Sequence, residues 1–227
     1  MATDRAPLRF YFDYISSNAY LAWRALPALV EKHGIDVEPV PVLFAGLLEA
    51  HGGLGPAEVP AKVYWMWRNN LRKAALLGIP LRRPAFHPFN PLLALRVTSL
   101  IPVGAARDAL IDGLMDAIWA ESRHGSDPDV VAACADAAGL DGRALVAEAA
   151  APEAKARVRA QTDDAIARGV FGVPSMGVGD ELFWGYDDFP YLERYLAGKD
   201  PLDPAGMPTG ETAPRPSAMR RRFREGT

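Results

Sequence analysis

Residues 8–18 read LRFYFDYISSN, and the change of character within that stretch decides the fold. The first seven (LRFYFDY) are aromatic and rich in β-formers, the profile of a buried strand. Ser16, Ser17 and Asn18 follow, and such side chains accept the unpaired N–H groups of a helix start. Apolar residues then recur at helical spacing over 19–33, and Gly34 ends the helix. Residues 36–44 (DVEPVPVLF) read as a second strand. Strand, helix and strand within residues 8–44 form a βαβ unit, which crosses over right-handedly into a parallel pair.

Outward from this unit the chain turns helical. Residues 59–77 carry Tyr64, Trp65 and Trp67 on an amphipathic pattern that Gly78-Ile79-Pro80 ends. A Pro-rich connection (83–91) leads to helices over 92–101 and 105–121. Ser126-Asp127-Pro128 is a strong helix start for 130–138, which Gly139 stops. Asp141 opens 142–149, and Pro152 opens a long helix to 168, stopped by Gly169. Val173-Pro174 then leads into strand 175–178, Gly179-Asp180 forms a two-residue turn, and 181–184 return as a strand. A closing helix covers 187–196. From Lys199 the chain is rich in Pro, Gly and Thr and finishes in Arg220-Arg221-Arg222-Phe223-Arg224, a composition expected to be flexible.

The order is βαβ, then helices, then ββα. That is an α/β fold with a thioredoxin-like core and a large all-helical insertion, the DsbA-like arrangement. The expected division is a thioredoxin-like domain from 8–44 and 170–198, a helical insertion domain over 45–169, and a flexible tail over 199–227.

Composition excludes several classes of function. A net charge of −3 offers no basic footprint for nucleic acid. No apolar run approaches the roughly 18 residues a membrane helix needs. Residues 1–9 lack the apolar core of a signal peptide, so a cytoplasmic location is expected. Cys134 is the single cysteine, in an apolar helical stretch, and reads as an inert small hydrophobe. The chain therefore performs no dithiol–disulfide exchange between its own residues.

Three places can carry chemistry. At the first helix start, unpaired N–H groups and the positive dipole end favour an anion. Ser16 and Ala19 stand where redox proteins of this order carry their two cysteines. A serine with no histidine nearby in sequence is no nucleophile, but it can cap the helix, donate to an incoming thiolate, or do both. At Val173-Pro174, a cis peptide would turn the Val173 N–H and C=O outward as a short edge for a peptide-like ligand, whereas a trans peptide would make an ordinary strand entry. At Gly185-Tyr186-Asp187, Asp187 either caps the last helix or meets an ammonium group. The insertion adds His51, Lys62, His87 and Asn90. The histidines lack metal-ligand spacing, so no metal is expected.

Four segments carry a resemblance. They are Phe10-Tyr11-Phe12-Asp13-Tyr14-Ile15-Ser16, Gly78-Ile79-Pro80-Leu81, Val170-Phe171-Gly172-Val173-Pro174-Ser175 and Gly179-Asp180-Glu181-Leu182-Phe183-Trp184-Gly185. Over about 8–198 the chain resembles bacterial 2-hydroxychromene-2-carboxylate isomerases, relatives of the kappa-class glutathione transferases in the DsbA-like thioredoxin superfamily. The resemblance implies glutathione as cofactor, with Ser16 as the catalytic hydrogen-bond donor to its sulfur. It implies cofactor contacts from Val173, Pro174, Tyr186 and Asp187, with Asn18 and Gly53 in the same set. Gly53 stands where kappa-class enzymes carry an asparagine, and Ser17 stands where the family often has proline. Lys62, His87 and Asn90 are the candidates for contact with the organic acid.

The implied reaction interconverts 2-hydroxychromene-2-carboxylate and trans-o-hydroxybenzylidenepyruvate, a step of aromatic catabolism, by reversible thiolate addition. The implied assembly is a homodimer. Two other readings stand beside this one: a kappa-like glutathione transferase or peroxidase, and a non-catalytic thioredoxin-fold binding module.

Overall fold

The computed structural model describes residues 6–202. Four strands form one sheet in the order β2-β1-β3-β4. Strands β1 (Leu8–Phe12) and β2 (Val37–Pro41) are parallel and joined by helix α1 (Ser17–His33), which is the expected βαβ unit. Strand β3 (Ser175–Val178) runs antiparallel to β1 with Met176 opposite Phe10, and β4 (Glu181–Trp184) pairs antiparallel with β3. The hairpin has the bounds expected from sequence, and Gly179 at φ 60° supplies the left-handed turn residue. Strand β2 lies on the sheet edge, where Pro39 and Pro41 cost the ladder least.

Between β2 and β3 the chain forms α2 (Phe44–His51), a 3₁₀ turn (Pro56–Glu58), α3 (Pro60–Leu77), α4 (Leu92–Leu100) and α5 (Ala105–Trp119). Then come α6 (Pro128–Ala137), α7 (Gly142–Glu148) and α8 (Pro152–Ala167). Proline in the first turn starts α3, α6 and α8. The Asp127 carboxylate caps α6, and that of Asp141 caps α7. A second 3₁₀ turn (Tyr186–Asp188) precedes α9 (Phe189–Leu196).

Most helix ends shift by one or two residues from the sequence reading, and three further differences have a cause in the structure. Strand β1 ends at Phe12 rather than Tyr14, because Asp13 turns the chain: its carboxylate accepts Ile15 N–H at 3.1 Å and its carbonyl accepts Ser16 N–H at 3.0 Å. Strand β2 ends at Pro41 rather than running to Phe44, which instead opens α2. The first donors of α2 are taken from far away: Leu43 N–H donates to Thr162 Oγ1 and Phe44 N–H to Asp13 Oδ2. Local pattern cannot show caps that distant. The closing helix starts at Phe189 rather than Asp187, because residues 186–188 wind as 3₁₀. The arginine-rich end, 220–224, lies outside the described residues.

The strand period of two sends side chains to opposite faces. Leu8, Phe10 and Phe12 pack with Met176 and Phe183 against α1 (Trp23, Leu26) and α9 (Phe189, Leu192). Tyr11 and Val40 face the other way, onto Ala165 of α8 with Val173 and Leu182. The larger cluster continues through Tyr14 into the insertion, where it takes in Trp67, Leu95 and Trp119. Each such fully buried side chain contributes about 1.5–3 kcal/mol. Two polar bonds fix the end of β1 on the helices. Tyr14 Oη lies 2.7 Å from Thr98 Oγ1, and Trp119 Nε1–H donates to Tyr14 O at 3.0 Å. Among the described residues no helix is long and apolar enough to cross a membrane.

Candidate active site

Ser16 is the N-cap of α1, in extended backbone at φ −96°, ψ 110°. Its Oγ accepts Ala19 N–H at 3.1 Å, and Tyr20 N–H closes the first helical turn on Ser16 O. Helix geometry leaves the Ser17 and Asn18 N–H groups without an intrahelical acceptor. The Ser16 hydroxyl donates to Val173 O at 3.4 Å, across 157 positions of sequence. Capping and donation therefore coexist at one oxygen.

The Val173-Pro174 peptide is cis, one of two such bonds among the described residues; the other, His87-Pro88, lay in the Pro-rich connection and gave no signal. Val173 and Pro174 are buried, and Pro174 O accepts Gly185 N–H at 2.9 Å. That bond ties the cis-Pro edge to the turn carrying Tyr186 and Asp187. Gly185 sits at φ 81°, and a side chain there would lie 3.5 Å from Asn18 Nδ2. Ser16, Asn18, Val173, Pro174, Tyr186 and Asp187 thus form one continuous strip.

Helix α3 closes that strip with two residues the sequence reading missed. Buried Asn70 donates from Nδ2 to Ser17 Oγ at 2.8 Å. Lys73 Nζ donates to Asp187 Oδ2 at 2.6 Å and lies 5.8 Å from the Tyr186 ring centroid. Both sit on the buried face of α3 with Trp67 and Ala74. Polar residues set into that apolar stripe were the signal available in the sequence.

Beside Ser16 on the insertion side is an aromatic wall. His87 Nε2–H donates to Ile15 O at 3.0 Å, so that nitrogen carries a proton, and burial lowers the pKa of the ring. The ring packs edge-on against Trp67 and lies 5.5 Å from the Trp119 ring. Trp67 Nε1 is buried without a partner, and the Arg83 guanidinium lies 5.7 Å from the Trp67 ring centroid. Asp13, fully buried, holds Ile15 from the other side, and burial pushes its carboxyl up to about 7.

The remaining candidates lie further out. Asn90 is exposed, and its Oδ1 accepts Leu92 N–H at the start of α4. Lys62 is exposed in the first turn of α3, on the side of the helix that leads to Lys73 about 16 Å away. Gly53 is exposed just beyond α2, its N–H on Leu48 O. Next to it, His51 Nε2 lies 3.1 Å from Val170 O. Cys134 is buried in α6 against α5, and burial pushes its thiol pKa up. Among the described residues no cluster of His, Cys, Asp and Glu could hold a metal ion.

The site chemistry fits a γ-glutamyl thiol. Donors converge at Ser16 for the sulfur, a carboxylate stands at Asp187, and Asn18 Oδ1 is a buried acceptor without a partner.

Comparison with known proteins gives a concordant picture. The DSBA-like thioredoxin domain family matches residues 7–197. The 2-hydroxychromene-2-carboxylate isomerase of Sphingobium xenophagum is 33% identical over 190 residues, 82% of this chain and 96% of that protein. The glutathione S-transferase kappa 2 of Caenorhabditis elegans is 26% identical over 86% of this chain and 93% of its own. Among solved structures, a 2-hydroxychromene-2-carboxylate isomerase superposes with a TM-score of 0.79 at 29% identity, covering 85% of this chain and 95% of that one.

Proposed function

The chain belongs to the 2-hydroxychromene-2-carboxylate isomerases of the DsbA-like thioredoxin family, and from that membership we propose that it isomerises 2-hydroxychromene-2-carboxylate, or a similar aromatic acid, with glutathione as cofactor. The carrying observation is the meeting of Ser16 Oγ with Val173 O at the start of α1, where no cysteine is present. When bound, glutathione supplies a thiolate that adds reversibly to a conjugated carbon and so permits rotation about the former double bond.

The residues of the chain make that thiolate available. A free thiol has a pKa of about 8.5 and is mostly protonated at neutral pH. The Ser16 O–H, turned from Val173 O to the sulfur, and the positive end of α1 stabilise the anion by about 1–2 kcal/mol, roughly a tenfold gain in thiolate. Asp13 and His87 hold the Ile15 peptide groups, and with them the position of Ser16. The Val173 backbone takes the cysteinyl part of the cofactor, and Asp187 takes the γ-glutamyl ammonium. The organic acid lies against Trp67 and His87, with Arg83 the cation nearest that wall.

Calorimetric titration with glutathione, paired with ultraviolet detection of bound thiolate, tests this reading. Wild type binds at millimolar concentration or tighter, and Ser16→Ala lowers the thiolate fraction about tenfold while binding persists. No binding to wild type refutes the reading, and unchanged thiolate absorbance in Ser16→Ala refutes the role of Ser16. The kappa-class relative favours conjugation as the second reading. Isomerisation leaves free thiol constant during turnover, whereas conjugation consumes it stoichiometrically.

The same proposal places the enzyme in the cytoplasm as a homodimer. Tyr64, Trp65, Leu71 and Leu76 stand exposed along the outer face of α3, an apolar surface suited to a second copy.

A further inference from the structure

Among the described residues the Lys73–Asp187 pair is unlike the other ion pairs in how its members are exposed. The Lys73 side chain is 10% exposed and that of Asp187 is 65% exposed. An ammonium withdrawn from water is costly unless its N–H groups are used. Here one of the three reaches Asp187 Oδ2 and the group also lies over the Tyr186 ring. Asp187 has a second carboxylate oxygen besides the one bound to Lys73, and it stands in the turn that Gly185 ties to the cis-Pro edge. A positive and a negative group therefore stand side by side, both fixed, at one end of a thiol-binding strip.

A purely anionic or purely cationic ligand would have to compete with one member of this pair. An α-amino-acid end carries both charges on one carbon and can satisfy both without parting them. Its ammonium meets Asp187 and its carboxylate meets Lys73, which closes a ring of four alternating charges. We propose that Lys73 is a specificity-determining residue that reads the α-carboxylate of the γ-glutamyl group, so that the site selects thiols bearing a complete amino-acid end. This rests on the glutathione reading above and extends it to a residue of the insertion.

The test uses two probes on the full chain: glutathione, and 4-aminobutyryl-cysteinylglycine, which differs only in lacking the α-carboxylate. A charge-assisted hydrogen bond predicts that wild type binds glutathione about tenfold or more tighter than the analogue by calorimetry. Lys73→Met loses about that factor toward glutathione and nothing toward the analogue, and Lys73→Arg restores most of the preference. Equal weakening toward both probes would mean that Lys73 only positions Asp187, and would overturn the proposal. A wild-type ratio near one overturns it without any variant, whatever the stability of Lys73→Met. Failure of wild type to bind either probe removes the glutathione reading itself, and this proposal with it.

Discussion

Ser17→Pro separates what the backbone of the active-site turn allows from what its side chains require. Ser17 is the first residue of α1, its N–H has no helical acceptor, and Ser16 before it is extended at φ −96°, ψ 110°. Proline therefore fits the backbone on both counts. By restricting the unfolded chain it stabilises by about 0.4–1 kcal/mol. The loss lies in the side chain: Asn70 Nδ2, buried on α3, forfeits its 2.8 Å bond to Ser17 Oγ, at a cost of about 1–3 kcal/mol. The balance is a destabilisation of about 1–2 kcal/mol, or roughly 2–8 °C in Tm for a chain of this size.

Asn70→Leu alone also costs about 1–2 kcal/mol, because Ser17 Oγ is then buried without its donor. The double variant Ser17→Pro/Asn70→Leu has neither polar partner and returns close to wild type. Urea midpoints at constant m give all four corners of the cycle. A coupling below about 0.5 kcal/mol, meaning simple additivity, would refute the reading that Ser17 and Asn70 depend on each other as a buried polar pair.

Two further outcomes follow from the packing and the buried acid. A Cβ on Gly142 would lie 2.1 Å from Ala132 O, a backbone atom of α6 that cannot step aside, so Gly142→Ala should cost about 3 kcal/mol or more in urea unfolding. Asp13 is protonated more readily in the folded state, about 7 against 3.8, so it holds a proton that the unfolded chain has already released. Its contribution to stability is full below about pH 4 and is lost as the pH rises to about 7. Comparing urea midpoints of wild type and Asp13→Asn across that range should show the wild-type advantage shrinking as pH rises. His87, whose lowered pKa acts with the opposite sign, is common to both proteins and cancels. A constant difference would contradict the assignment.

The parts of the fold that were legible are those whose cause is local. Gly179-Asp180 between two short alternating runs places the hairpin to the residue, and Asp127-Pro128 and Asp141 mark two helix starts. Ser16 could be read as a cap because a cap is satisfied three residues on, at Ala19. What could not be read depends on partners far along the chain. Helix α2 begins where it does because Asp13 and Thr162 accept its first donors. Asn70 and Lys73 gain meaning from Ser17 and Asp187, which stand 53 and 114 positions away. His87 was singled out by its loop, while the atom that gives it a place in the site, Ile15 O, is reached only through the fold.

Helix α3 touches the beginning of α1 through Asn70 and the turn before α9 through Lys73. A ligand spanning from Ser16 to Asp187 binds well only while both attachments hold. Its binding free energy then adds directly to the cost of lifting α3 off the core, by RT ln(1 + [L]/Kd), about 2.7 kcal/mol at a hundredfold excess over Kd. The helix becomes a reporter of occupancy. Saturating ligand should slow amide hydrogen exchange in α3 about a hundredfold, and leave unchanged any local opening that does not disturb the site. A helix of the insertion would thus register, in its exchange protection, whether the site on the sheet is occupied.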